Sequence, residues 1–364
     1  MPHVPADFAA TVPATRIEVV RGLPPEIDAV AEAAAPTHRF LRAAWYAAAV
    51  EAYGGAARTI VAREDGVTVA ALPIVPVGPG LLRLVSVPGC YWPFRSAPLS
   101  LAASSATAPA LLDAVAGIAN GLRIGPVYDG DPAATALIES ARARGWTVLD
   151  RYVAESWLLD MAAQRREGVW PRPSTLRKNR FHEKHLASHG ALDWRFLDGA
   201  DWPAAFAWLG QVEDRSWIAT RTGGSDAKFT AAGHLAFWHA ASRDPVLAGM
   251  FHAALLTVDD VPAGFSFDMD VGETKYAIAN SYVPDYAKHS PGKLLYWRNL
   301  SDAIERGVTR VDWGAGDTGY KQVIGADPGP TLRDWLFLRP GLPALGGRVL
   351  ATAWRRSGNR PGEG

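Results

Sequence analysis

The chain has 364 residues, enough for two domains, and its 48% apolar and 20% charged content is ordinary globular composition rather than disorder or collagen. Lys+Arg and Asp+Glu balance at 37 each, so no global charge field recruits nucleic acid or an acidic membrane, and any such contact has to come from a local patch. Cys90 is the only cysteine, which excludes an intramolecular disulfide and a cysteine-based zinc site.

The opening MPHVPADFAATVPATR lacks a basic start followed by an apolar run, so no signal peptide is expected. Apolar stretches such as 43–50 fall far short of the roughly 20 residues that span a bilayer. A cytoplasmic location is the default expectation. Residues 1–35, rich in Pro and Ala, read as an arm with one strand over 16–20. A helix over 40–53 ends at Gly54-Gly55. Strands over 58–62 and 67–75 flank Asp65-Gly66, a good hairpin signal. Three prolines make 87–99 a loop or broken strand. Helices over 108–120 and 131–144 and a strand over 146–159 complete an α/β unit with no chemical motif. The 14 Trp residues read as packing units for the cores, with an aromatic substrate cleft as the alternative.

The second half is more legible. A strongly basic helix over 175–189 is expected to start at an N-cap, Ser174, and stop at Gly190. Aromatic-rich helices follow over 201–218 and 228–242. Three strands come next, 248–258, 263–271 and 274–282, with turns at Asp259-Asp260 and Gly272. The loop VPDYAKHSPG leads to a helix over 291–306 that ends at Gly307. A strand over 309–313, a short helix over 317–324 and a last strand over 332–338 complete the elements. The tail from Arg355 is expected to be disordered, and no repeat has solenoid spacing.

The informative unit is strand, loop, helix, strand from 274 to 313. Ser290 is placed as an N-cap and Pro291 at the first helical position, with Gly292 and Lys293 next. This leaves the first helical N–H groups and the positive dipole end as an anion site, with Lys293 as an added charge. Ser-Pro-Gly is also simply good helix-start chemistry. Past the first turn, Tyr296, Leu300, Ala303 and Ile304 share an apolar face, and Asp302 and Arg306 are spaced to pair on the wet side.

From 174 to 338 the chain resembles the GNAT superfamily of acyltransferases, in particular its CelD-like and Fem-like branch. The resemblance is carried by STLRKNRFHEKHLASHG, AGFSFDMD, YAIANSYVPDYAKHSPGKLL and RVDWGAGDTGYKQVIG. FLRAAWYAAAVEAYGG and the two strands after it look like the degenerate first half of that branch. The resemblance implies an α/β (α+β) fold of two tandem GNAT-like halves, each a mixed twisted sheet flanked by helices. Their expected bounds are 1–158 and a catalytic, donor-binding 159–345, followed by a tail over 346–364. The phosphate loop reads KHSPGK in place of the usual basic-plus-glycine signature. This leaves two donors open, an acyl-CoA co-substrate and, as in Fem-like members, an aminoacyl-tRNA.

In this fold the strands on either side of the donor helix splay, and unpaired backbone groups in the gap polarise the acyl carbonyl. The amine must lose a proton. Asp317, Glu213 and Asp268 are candidate bases, Asp317 being also a natural cap for the helix after it. Tyr320 and Lys321 are candidates for protonating a leaving thiolate and for stabilising developing charge, with Tyr282 a second acid. Ser290, Gly292 and Lys293 are placed at the donor, with Arg177 and Lys178 of the basic helix, unless that helix is only a solvated face. Trp217, Tyr282 and Asp268 are placed at the acceptor. His182, His185 and His189 share one helical face, but HEKH is not the HExxH zinc motif, and no metal is expected. G-x-S-x-G, Walker and Rossmann signatures are absent, and Cys90 has no local support as a nucleophile.

Three functions remain at this point. The first is acyl transfer from acyl-CoA to a small-molecule amine, such as an amino sugar or amino acid. The second is Fem-like aminoacyl transfer from charged tRNA, which requires a continuous basic track from the Arg177 helix to the donor cleft. The third is a non-catalytic binding module. Nucleic acid is a partner only under the second, and no membrane span is expected under any.

Overall fold

The computed structural model describes residues 14–90, 92–168, 170, 172–216, 218, 227–316 and 320–359. In the first half the elements are β1 (Thr15–Arg21), α1 (Glu26–Ala33), α2 (Ala43–Tyr53), β2 (Arg58–Glu64), β3 (Val67–Val77) and β4 (Leu84–Ser86), then α3 (Thr107–Ile118), β5 (Gly121–Tyr128), α4 (Pro132–Ala143) and β6 (Thr147–Asp160). The second half runs α5 (Met161–Arg166), α6 (Pro173–Leu186), β7 (Leu192–Asp198), α7 (Phe206–Arg215), α8 (Ala232–Ala241), α9 (Pro245–Ala248), β8 (Phe251–Val258), β9 (Val261–Val271) and β10 (Thr274–Tyr282). It ends with α10 (Pro291–Glu305), β11 (Arg310–Ala315), α11 (Tyr320–Val323), β12 (Asp327–Leu338) and α12 (Leu342–Arg356).

The strands form one 12-stranded sheet in the order β1-β2-β3-β4-β5-β12-β6-β11-β10-β9-β8-β7. Read inward from either edge, the order repeats. An antiparallel meander of four strands meets one parallel neighbour, β4 with β5 and β10 with β11. The closing strands are exchanged: β6 of the first half pairs with β11, and β12 of the second pairs with β5. Two tandem halves of one topology therefore share a sheet, and the expected boundary at 158/159 falls inside β6, a strand that serves both.

Local chemistry accounts for the hairpins. Asp65 and Gly66 (φ 49° and 84°) both take the left-handed conformation between β2 and β3, and Asp259 and Asp260 (49° and 61°) do so between β8 and β9. Two positive φ angles give the turn whose twist matches the strands it joins. Most tryptophans with described side chains pack as expected. Trp45 of α2 meets Phe237 and Trp238 of α8 edge-on, with centroids 4.7 and 6.2 Å apart, and Trp45 and Trp238 are fully buried. One core thus joins helices of the two halves.

Several expectations are corrected. α1, β4, β5 and β7 lie where no element was placed. The expected tail over 346–364 begins inside α12, and beyond that helix the Asn359 amide still donates to the Tyr152 carbonyl at 3.1 Å. No helix among the described residues is long and apolar enough to cross a membrane.

Candidate functional site

β10 and β11 pair over only three residues, Thr274–Tyr276 with Arg310–Asp312. Beyond that point β10 runs on to Tyr282 and β11 to Ala315 without pairing to each other, so their facing backbone edges open into a gap. Register irregularities fall where the gap begins, at Ala277/Ala279 in β10 and Asp312/Ala315 in β11. Gly314 (φ 74°) bends β11 there and lets the Trp92 ring of the first half lie against it; a Cβ would sit 3.2 Å from that ring. Lys321 is buried, and its Nζ donates to the Gly314 and Ala315 carbonyls, 3.1 Å each. It fixes the bent end of β11.

The helix after the gap starts differently from expectation. Ser290 is left-handed (φ 52°, ψ 48°) and makes no side-chain cap. Its carbonyl accepts the Lys293 and Leu294 amides at 3.0 and 3.2 Å, so these are not open to an anion. Pro291 has no N–H, which leaves Gly292 as the first-turn amide with no backbone acceptor among the described residues. Gly292 sits against Tyr282 and Asn280: its carbonyl accepts from Asn280 Nδ2 at 3.4 Å, and a Cβ would meet the Tyr282 ring at 3.2 Å. The fold therefore brings Tyr282, Ser290, Gly292 and Lys293 together at one end of the gap.

The basic helix α6 packs directly on α10. Leu186 shares a core with Leu294 and Leu295, and Glu183 pairs with Arg298 while accepting from Trp194 Nε1 at 3.1 Å. At its end the His189 and His289 Nε2 atoms are 2.9 Å apart, so one ring donates to the other. His289 is held below the usual histidine range, first by burial and then by His189, Lys288, His185 and His182. Arg172, Arg177, Lys178, Arg180 and Lys184, with Lys288 and Lys293, are exposed, and none has a carboxylate in ion-pair range among the described residues. The cations of α6 and those of the turn and first residues of α10 thus lie on adjoining elements. No group of three metal-binding side chains occurs among the described residues.

Two sequence candidates stand elsewhere. Glu213 is buried in α7 and accepts the amides of Lys228, Phe229 and Thr230 at 2.7, 2.7 and 3.0 Å, plus the Thr230 hydroxyl. These bonds tie the segment 228–230 to α7. Asp268 lies beneath α10, bonded to Asn299 and 3.5 Å from Lys275 Nζ, and burial pushes its carboxyl up. Lys275 in turn reaches Asp270 at 2.9 Å, and Asp270 pairs with Arg306, which also meets Asp302 as expected. This network ties α10 to the sheet. Asp317, Trp217 and the Tyr320 side chain lie outside the described residues.

A residue that sequence reasoning missed is Asp312, the last residue of β11 to pair with β10. It is 3% exposed; Tyr128 of the first half donates to Oδ2 at 2.6 Å and the Gly314 amide to Oδ1 at 2.8 Å. Burial pushes its carboxyl up to about 6, against the lowering effects of Tyr128, Gly314 and Lys321. The available signal was a lone acid inside the strand RVDWG. Such a group is largely ionised at neutral pH yet near enough to accept and release a proton.

Residues 173–322 match the family described as an acetyltransferase (GNAT) domain. No curated protein matches the chain. Among solved structures, FemX aligns at TM-score 0.62 and 12% identity, covering 90% of this chain and 98% of its own. The C-terminal domain (DUF2156) of a putative lysylphosphatidylglycerol synthetase from Agrobacterium fabrum aligns at TM-score 0.53 and 13% identity, covering 92% and 97%. L-PGS from Bacillus licheniformis gives 0.52 and 12%, covering 93% and 99%. At these identities the likeness concerns the fold. Residues 173–322 are thus similar to a GNAT acetyltransferase domain, and the chain as a whole shares its fold with these structures.

Proposed function

We propose that the chain transfers an activated acyl group from a phosphate-bearing carrier to an amine, at the gap between β10 and β11. The observation that carries this reading is the three-residue parallel pairing followed by two unpaired strand edges, with the start of α10 at one end. Backbone donors fixed in that gap suit a carbonyl that becomes an oxyanion, each worth roughly 3 kcal/mol in a barrier. The amine attacks the acyl carbon and the bond to the carrier breaks. The amine's proton passes to the Tyr128 hydroxyl as Tyr128 gives its own to Asp312. Lys321 positions β11, Tyr282 and Gly292 shape the donor end, and Tyr320 serves as the acid for the leaving group.

The carrier that the surface favours is a charged tRNA. Seven exposed cations, none with a carboxylate in ion-pair range among the described residues, run from Arg172 and α6 to Lys288 and Lys293, and only one first-turn amide is without a backbone acceptor among those residues. Acyl-CoA is the second reading, favoured by the acetyltransferase description of the matched domain. Titration of the purified protein with aminoacyl-tRNA and with acetyl-CoA over a range of salt separates them. Tight tRNA binding that falls steeply with salt, by a log–log slope near one per phosphate contact, supports the first; saturable, weakly salt-dependent acetyl-CoA binding replaces it with the second. Asp312→Asn against Asp317→Asn then tests the proton acceptor, the larger loss of kcat marking it.

A further inference from the structure

We propose that α12 and the turn before β4 form a docking surface for an anionic lipid bilayer. α12 is packed inside out. It turns small residues to the sheet, Ala344 and Gly347, and at Gly347 any side chain would run into Leu338. The large aliphatics face water: Leu342, Val349, Leu350 and Leu345 are 84, 82, 61 and 56% exposed. At about 100° per residue they span an arc of about 140° opposite the buried face. Across a groove of about 670 Å³ stand Leu81 and Leu82, also exposed, above a floor of Leu84, Leu149, Leu336 and Leu338. A continuous apolar surface of this kind marks an interaction site.

Charge selects the occupant. Arg83, Arg348, Arg355 and Arg356 are exposed around the patch, and neither 78–84 nor 342–359 contains an acidic residue. A second copy seated on a two-fold axis would bring these arginines against one another. A bilayer with anionic headgroups takes both features, the aliphatics entering the acyl boundary and the guanidiniums reaching phosphates. The surface is separate from the acyl-transfer gap. Leu149 on its floor and Ser156, which pairs with Ala315, are seven residues apart on β6, about 23 Å.

The test is co-sedimentation of the full chain with vesicles of phosphatidylcholine alone and of phosphatidylcholine mixed with phosphatidylglycerol. Binding is expected only to the mixed vesicles and is expected to weaken with salt. Arg348→Ala/Arg355→Ala/Arg356→Ala should reduce it roughly a hundredfold, at about 1 kcal/mol per cation. Val349→Glu/Leu350→Glu should abolish it. All five side chains are exposed, so thermal unfolding should not move in either variant; if one does unfold, the other still decides. No association with mixed vesicles at low salt, or equal association of wild type and a folded variant, overturns the proposal. So does a concentration-dependent dimer in light scattering that Val349→Glu/Leu350→Glu splits, since a second copy then covers the patch.

Discussion

Asp312 offers a prediction whose size follows from its surroundings. Raising a carboxyl from 3.8 to about 6 costs the folded state about 3 kcal/mol once the group ionises. The sign follows from proton binding: between pH 3.8 and 6 the folded chain keeps a proton that the unfolded chain has lost, so stability falls as pH rises and levels off above 6. His252, pushed down to about 4 chiefly by burial, contributes oppositely, its stability being lost as pH falls from 6.5 through 4. The readable quantity is therefore a difference: the urea unfolding free energy of Asp312→Asn minus that of wild type, from pH 3.5 to about 9. It should rise by about 3 kcal/mol up to pH 6 and then stay flat. Tyr128→Phe removes a 2.6 Å bond to the carboxylate, worth roughly 1.5–3 kcal/mol. In that background the rise should extend to roughly pH 7–8. A difference curve that does not change with pH, or one that ends at 6 with and without Tyr128, would refute the assignment.

The other predictions concern the supports of the site. Glu213→Gln should lower unfolding free energy by about 2–4 kcal/mol, because three amides and a hydroxyl lose part of their acceptor, while activity per folded molecule persists; normal stability with lost turnover would return Glu213 to the catalytic set. Lys275→Met should cost about 3–5 kcal/mol in the same assay, since it strands two buried aspartates. Lys321→Ala should lower kcat at least tenfold with a smaller effect on donor affinity, because it frees the bent end of β11; steady-state kinetics separate the two.

Legibility tracked how local the signal was. The β8–β10 meander, α10 and β11 were readable because alternation and turn residues lie within a few positions of the strands they define. β5, GLRIGPVY, carries two Gly and a Pro that read as breakers, yet it is an inner strand flanked by β4 and β12. α12 looked like a tail because Gly346-Gly347 and the arginines suggest flexibility, whereas Gly347 is the close approach that docks the helix. The exchange of β6 and β12 depends on pairings between residues far apart in sequence, such as Leu338 with Gly121 and with Thr147, which no local pattern encodes. Motif spacing put Gly292 and Tyr282 among the candidates, and the fold brings the two into contact. Asp312 was quoted within a motif without being weighed, and Glu213 and Asp268 were weighed without their burial. Only packing tells an acid that holds a loop from one that holds a proton.

Binding of a phosphate-bearing acyl carrier at the start of α10 can be read by calorimetric titration of wild type and Gly292→Glu with aminoacyl-tRNA and with acetyl-CoA. A Glu at 292 would meet the Tyr282 ring and place a negative charge beside the one open amide. Wild type should bind at least one carrier, and the variant, folded by its melting curve, should bind neither. Binding of neither by wild type, or equal binding by both proteins, would contradict a carrier site at the start of α10.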